Sequence, residues 1–482
     1  MKLQIFGGTR IASDFIIYGS INFLNKLISI LIIFFLTKNL TVEDFGLVDF
    51  FISLISLGST IVIFGQDSAI ARFFTNRNTI YQKKKIITQS LLIYILNIFI
   101  IFPSLFIIFY IFYDNLIIKK NIYLIIFLTL SIFIYVFINF CLTILKYDFE
   151  RKKYNTLIIL QNFFILLSIL ILINFKILDY QNFIYFYFSS NLIVLLIGIY
   201  FIKKWIILIN KPFLNLSYIK FATPIGLVAF LFNLSLIYER FFIYNNINLF
   251  SLGLYALLLK IAAIVQILIF TLLIGWEPYL YSNIKNKNLA TNINLAFKCF
   301  VYFSFIICFF LNSIKVFVII LLSNINYIEV KYYVFPVIVG IIFQEIVRVP
   351  VSIISMLKKN YFLLIIQIFC FLFIIIFFQI IKNTASIEII IYIVSFNYFL
   401  RFFLLTIIAN KEFTMKLEIL NIFMLISILL LLGYYLSEIN IIFNNEIINF
   451  IFILLISSLV FYFFLIPNEI KILKKILYKL IY

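Results

Sequence analysis

The sequence predicts an all-α polytopic membrane protein of about fourteen transmembrane helices, built as two six-helix lobes with two extra C-terminal helices. Three observations predict it. The 482 residues are 65% hydrophobic and only 12% charged, with a mean hydropathy of +1.19, whereas a soluble domain carries roughly 25% charge. Apolar runs of about 20 residues, the length that crosses about 30 Å of hydrocarbon, recur along the whole chain. A short segment also repeats: Phe45-Gly46-Leu47 is echoed by Leu252-Gly253-Leu254, 207 residues later, and each copy opens a new apolar run. A repeat placed there marks a membrane protein made of two halves.

The predicted spans are 13–36, 45–65, 87–112, 122–145, 155–175 and 182–202, then 219–243, 252–275, 294–314, 332–356, 361–381, 387–409, 418–436 and 448–466. The first is too long for the apolar core of a signal peptide and has no A-x-A site, so it is expected to stay as a span. Lys315 ends the ninth, leaving 316–322 to lie along the interface, and Pro350 is placed to kink the tenth. The expected division is an N-lobe at 1–210, a C-lobe at 211–410, and an appendix with a basic tail at 411–482. Six spans separate the repeat copies, so both run in the same direction and the axis relating the lobes lies along the membrane normal.

Charge sets the orientation. With the N-terminus inside, the inner segments hold 25 of the 38 Lys and Arg, the outer segments seven, and the spans six. This bias predicts an inner (cytoplasmic) membrane protein with both termini cytoplasmic. The net charge of +19 then reads as attraction to anionic inner-leaflet lipid. No nucleic-acid motif or Gly-rich phosphate loop accompanies it, so nucleic acid is not an expected partner. The chain contains no histidine, which excludes a Ser-His-Asp triad and His-ligated zinc or haem. Cys141, Cys299, Cys308 and Cys370 lie singly in apolar runs and read as small core residues. No cofactor or metal is expected, and no catalytic residue.

Ionisable residues inside spans cost a few kcal/mol each at mid-depth unless they face a wet or polar interior. Lys26, Arg240, Lys260, Arg348 and Arg401 are the candidates, with Asn22, Asn233, Glu345 and Asn397 as polar support at helical spacing. Tyr18, Asn22, Lys26 and Ser29 share one face of their span. So do Gly226, Ala229, Asn233 and Arg240, and so do Gly253, Ala256, Lys260 and Ala263. Glu345, Arg348, Ser352 and Ser355 share another. Arg348 has Glu345 three residues away as a local ion-pair partner. Lys298, near a span end, is expected to extend its ammonium to the interface. Cations outnumber acids within the spans, so the interior is expected to hold surplus positive charge, suited to a lipid pyrophosphate. Glu43-Asp44 could serve as a catalytic carboxylate pair, but reads better as the capped first turn of a helix with Thr41 as N-cap.

Several of these stretches resemble the polysaccharide-transporter (Wzx-type flippase) branch of the multidrug/oligosaccharidyl-lipid/polysaccharide exporter (MOP, MATE-like) superfamily. They are Glu43-Asp44-Phe45-Gly46 after the first span and Glu239-Arg240-Phe241-Phe242-Ile243 in the seventh. To these add Gly253-Leu254-Tyr255-Ala256 with Lys260 in the eighth, and the turn Phe64-Gly65-Gln66-Asp67 running to Arg72-Phe73. The resemblance implies a MATE-like two-lobed flippase. Such a protein moves an undecaprenyl-diphosphate-linked oligosaccharide across the cytoplasmic membrane by alternating access, for O-antigen- or capsule-type polysaccharide. It also implies polysaccharide assembly proteins as partners. Two rival readings stay open. One is a drug/cation antiporter of the same superfamily, which should carry acids in its lobes. The other is a membrane glycosyltransferase or polymerase, which should carry a large outer loop.

Overall fold

The computed structural model describes residues 25, 27–75, 79–111, 121–148, 150–205, 216–273, 276, 280, 289–357, 359–413, 418–438, 446–465, 467, 469 and 470. Lys26 and Asn22 lie outside the described residues, as does the basic tail from 471. Every regular element among the described residues is helical. That is the solution hydrocarbon imposes, because a helix satisfies its backbone N–H and C=O groups internally.

The chain begins with α1 (Leu27–Asn39), α2 (Val42–Ile63), the short α3 (Gln66–Thr75) and α4 (Ile80–Ile111). It continues through α5 (Ile122–Tyr147), α6 (Arg151–Asn174), α7 (Tyr180–Ile202), α8 (Leu216–Asn246) and α9 (Leu249–Leu273). Next come α10 (Leu289–Ser313), α11 (Lys315–Leu322), α12 (Val334–Ile346) and α13 (Arg348–Met356). The last are α14 (Tyr361–Ile380), α15 (Ile387–Glu412), α16 (Ile419–Glu438) and α17 (Glu446–Phe463). Ten of the described helical segments are long and apolar enough to cross a membrane, and α12 and α13 together form one of them. With α1, α4, α16 and α17 they fill the fourteen expected positions.

The boundaries have local causes. Thr41 caps α2, its Oγ1 accepting from the Asp44 N–H at 3.1 Å, so the first-turn acids Glu43 and Asp44 sit at the positive end of the helix dipole. At the other end Phe64 (φ 41°) and Gly65 (φ 75°) take left-handed conformations and turn the chain into α3. Asn121, Asp179 and Ser386 cap α5, α7 and α15 through side-chain oxygens. The predicted stop near Lys315 is real: α10 ends at Ser313 and α11 begins afresh at Lys315. The predicted bend at Pro350 separates α12 from α13 at Val347, since proline has no N–H to return to the Ile346 carbonyl.

The chain forms two compact units, Met1–Gly253 and Leu254–Tyr482. In the first, α7 packs on α5 and α6, while α2 packs on α5 and on the length of α8. In the second, α15 packs on α12, α13 and α14, and the C-terminal pair α16–α17 rests on α10. α8, which packs along α2, lies in the first of these units.

At the lysine-rich end, the turn at Lys203–Trp205 is tied to the segment between α5 and α6. The Trp205 indole donates to Asp148 at 3.0 Å, and Lys204 reaches Asp148 at 2.8 Å and Glu150 at 3.0 Å. The hydrogen bond from Lys204 holds the Glu150 carboxyl below its ordinary range.

Candidate functional site

Among the described residues, the polar side chains within the helices form several clusters, each inside one unit. In the first unit, the face of α8 marked by Gly226, Asn233 and Arg240 lies against α2. Arg240 donates through Nε to Asp49 Oδ2 at 2.9 Å and through Nη1 to the Leu236 carbonyl at 2.8 Å. Both partners are buried, with side-chain exposures of 8% and 3%. Two helical turns away on both helices, Ser56 donates to Asn233 Oδ1 at 3.1 Å. Arg240 was expected to stand among the cations of an open interior. It stands instead in a buried ion pair, because leaving a guanidinium unpaired in hydrocarbon costs more than bringing an acid to it. Asp49 is absent from the sequence-predicted site.

A second, uncharged network joins α1, α6 and α7. Asn162 donates to Asn25 Oδ1 at 2.8 Å and to Ser29 Oγ at 3.1 Å, and Gln161 donates to Asn191 Oδ1 at 3.0 Å. Ser29 is the one described member of the predicted face of the first span. Its hydroxyl meets α6.

The third group lies in the second unit. Arg348 at the start of α13 donates through Nε to Glu345 Oε2 at 2.7 Å, and Glu345 Oε1 accepts from Gln266 of α9 at 2.8 Å. Glu345 is 1% exposed while the Arg348 side chain is 44% exposed, so the acid is fixed in packing and holds out a guanidinium that reaches open space. One turn on, Trp276 donates to Ser352 at 2.7 Å. Arg401 of α15 lies within electrostatic reach of Arg348, Cys370 and Tyr398. Asn397, one turn from Arg401, is buried with its Oδ1 accepting no hydrogen bond. Lys260 sits half-buried on α9. Glu345 and Gln266 thus fix Arg348, while Arg401 and Lys260 lie on other helices of the same unit.

Lys298 departs most from expectation. It is fully buried, and its Nζ donates to Glu418 Oε2 at 2.8 Å, Glu469 Oε2 at 2.8 Å and the Phe464 carbonyl at 3.1 Å. The predicted extension to the interface does not occur, because two carboxylates from the segments flanking α16 and α17 meet the ammonium inside the protein. Lys298 therefore fastens the C-terminal pair to α10. The four cysteines are unpaired, and Cys141, Cys308 and Cys370 are buried, as expected of small core residues.

No model of a known protein family matches the chain, and comparison with curated protein sequences finds no relative. Solved structures do match. One is the lipid II flippase MurJ in an inward closed conformation, with a TM-score of 0.67 and 15% identity, over 93% of this chain and 98% of that one. Another is a multidrug resistance MATE family transporter of the MOP superfamily, facing inward, with a TM-score of 0.60 and 14% identity, over 80% and 94% of the two chains. An outward-facing structure of such a transporter matches with a TM-score of 0.57 and 15% identity, over 84% and 95%. All three are transporters, not enzymes. This chain has the MurJ/MATE fold.

Proposed function

We propose that the chain is a flippase moving an undecaprenyl-diphosphate-linked oligosaccharide across the cytoplasmic membrane by alternating access, for O-antigen- or capsule-type surface polysaccharide. The observation that supports this reading is the Arg348 guanidinium, held by buried Glu345 and itself exposed, in the unit that also carries Arg401 and Lys260. Cations that share an interior of low dielectric repel one another, and a diphosphate would relieve that repulsion. Arg can grip such a group bidentately, whereas Lys260 offers a point charge. Asn397 is suited to hydroxyl groups of the attached sugars. Lys26 completes the proposed cation set from the first span. The flippase likeness supports a lipid-linked substrate, since it accounts for 93% of this chain against 80–84% for the multidrug transporters. Anionic inner-leaflet lipid and polysaccharide assembly proteins are the further partners of this reading.

The drug/cation antiporter is the second reading, favoured by the MATE likeness and by the buried acids Asp49, Glu239 and Glu345 within the helices. Two of these acids neutralise cations in this structure: Asp49 holds Arg240, and Glu345 holds Arg348 while accepting from Gln266. The test is a deletion strain. The flippase reading expects lipid-linked oligosaccharide to accumulate at the inner leaflet and surface glycan to disappear, both restored by the unaltered gene. Normal surface glycan with altered drug sensitivity would move the assignment to the antiporter.

A further inference from the structure

The internal repeat has a physical meaning in the fold. Gly46 and Gly253, which occupy equivalent positions in the two copies, touch one another. A Cβ on Gly46 would lie 2.7 Å from the Gly253 nitrogen and 3.0 Å from its Cα, and one on Gly253 would collide with the Val42 carbonyl. These are backbone contacts, which no side-chain rotation relieves. They lie near the starts of α2 and α9, the lysine-poor end of both helices. A matching contact closes the other end. Gly65 meets the Ala222 carbonyl, and a Cβ on Gly226 would lie 2.6 Å from the Phe64 carbonyl carbon and 2.8 Å from its oxygen. Between these contacts run the Asp49–Arg240 and Ser56–Asn233 rungs. Seven residues forward on α2 match seven residues back on α8, as antiparallel helices require.

We infer that α2 is a two-ended clasp, and that the glycine contacts at its ends are separate seals that set which side of the membrane the protein opens to. Each seal is a steric stop with no slack, so a single methyl group prevents closure. The polar rungs between them hold the helices in register and part only locally. A Gly46→Ala or Gly253→Ala change therefore keeps the lysine-poor end open, and Gly226→Ala keeps the lysine-rich end open. Gly58, also on α2, is the internal control, because the three atoms nearest an added Cβ there all belong to the Ile132 side chain, on a helix of the same unit, whose Cδ1 end can turn away. The inference rests on reading the chain as an alternating-access transporter, but its test needs no substrate.

The experiment is pulsed electron-paramagnetic distance measurement on the full chain in lipid vesicles, with the four native cysteines replaced by alanine. One spin-label pair sits at Glu43 and Asn248, exposed at the lysine-poor end, and the other at Asp67 and Lys220, exposed at the lysine-rich end. Gly46→Ala should move most of the 43–248 distribution to longer distance and leave 67–220 short, and Gly226→Ala should do the reverse. Gly58→Ala should leave both as in the unaltered protein. Unchanged distances in folded variants, equal lengthening at both ends, or the same shift in Gly58→Ala would overturn the inference. If the glycine variants do not fold, the unaltered protein decides. The long-distance fractions at its two ends should not together exceed the whole population, and a larger total contradicts the two-seal mechanism. If the distances shift as expected but no lipid-linked oligosaccharide moves, the clasp stands and the substrate assignment fails.

Discussion

At the scale of single residues, burial decides what each charge does. Lys298 is fully enclosed with two carboxylates on its ammonium, so Lys298→Ala takes the ammonium away from a buried Glu469. Breaking a buried ion pair this way costs about 3–5 kcal/mol. The expected result is a lower melting temperature in detergent and faster proteolysis ahead of α16. The triple change Lys298→Met, Glu418→Gln and Glu469→Gln should recover much of the loss. Arg401 is expected to behave differently. Arg401→Lys should slow glycan export and Arg401→Ala should slow it more, with melting temperature and membrane insertion close to those of the unaltered protein. Helical spacing made the Glu345–Arg348 pair legible, because its partners are three residues apart. Asp49 meets Arg240 across 191 residues, so no local spacing marks the pair, although an acid inside an apolar run is itself visible in the sequence. Lys298 was misread for the same reason: its partners lie 120 and 171 residues away, where spacing carries no signal.

At the scale of elements, boundaries with a local cause are legible in the sequence. Thr41 caps α2 as predicted, and Thr41→Ala should cost about 1 kcal/mol of helix stability. Glu43→Ala should leave surface glycan unchanged, since Glu43 reads as a first-turn acid rather than a catalytic group; loss of glycan with normal protein level would restore a catalytic reading. The break at Lys315 and the bend ahead of Pro350 were legible for the same reason. The face of α8 carrying Gly226, Asn233 and Arg240 was also legible from its spacing. What it packs on was not, because a face shows in the sequence while its partner helix is a property of the assembled unit.

At the scale of the whole molecule, the fourteen segments were legible because each needs only its own apolar length, and the repeat was legible because it falls at the start of two of them. Their orientation is a prediction. Reporter fusions at Asn76 and at the C-terminus should report the cytoplasm, and one at Asn445 the opposite side; a reversed signal at any of the three contradicts the charge-based topology. The central claim is that a cationic interior moves a lipid diphosphate, and reconstitution tests it most directly. The purified chain goes into vesicles carrying a fluorescent undecaprenyl-diphosphate oligosaccharide, and a membrane-impermeant quencher reads its transfer between leaflets. The account predicts fast transfer with the unaltered protein, slow transfer with Arg401→Ala or Lys260→Ala, and unaltered rates with Glu43→Ala. Equal rates in the unaltered and Arg401→Ala proteins, or no transfer above protein-free vesicles, would contradict it.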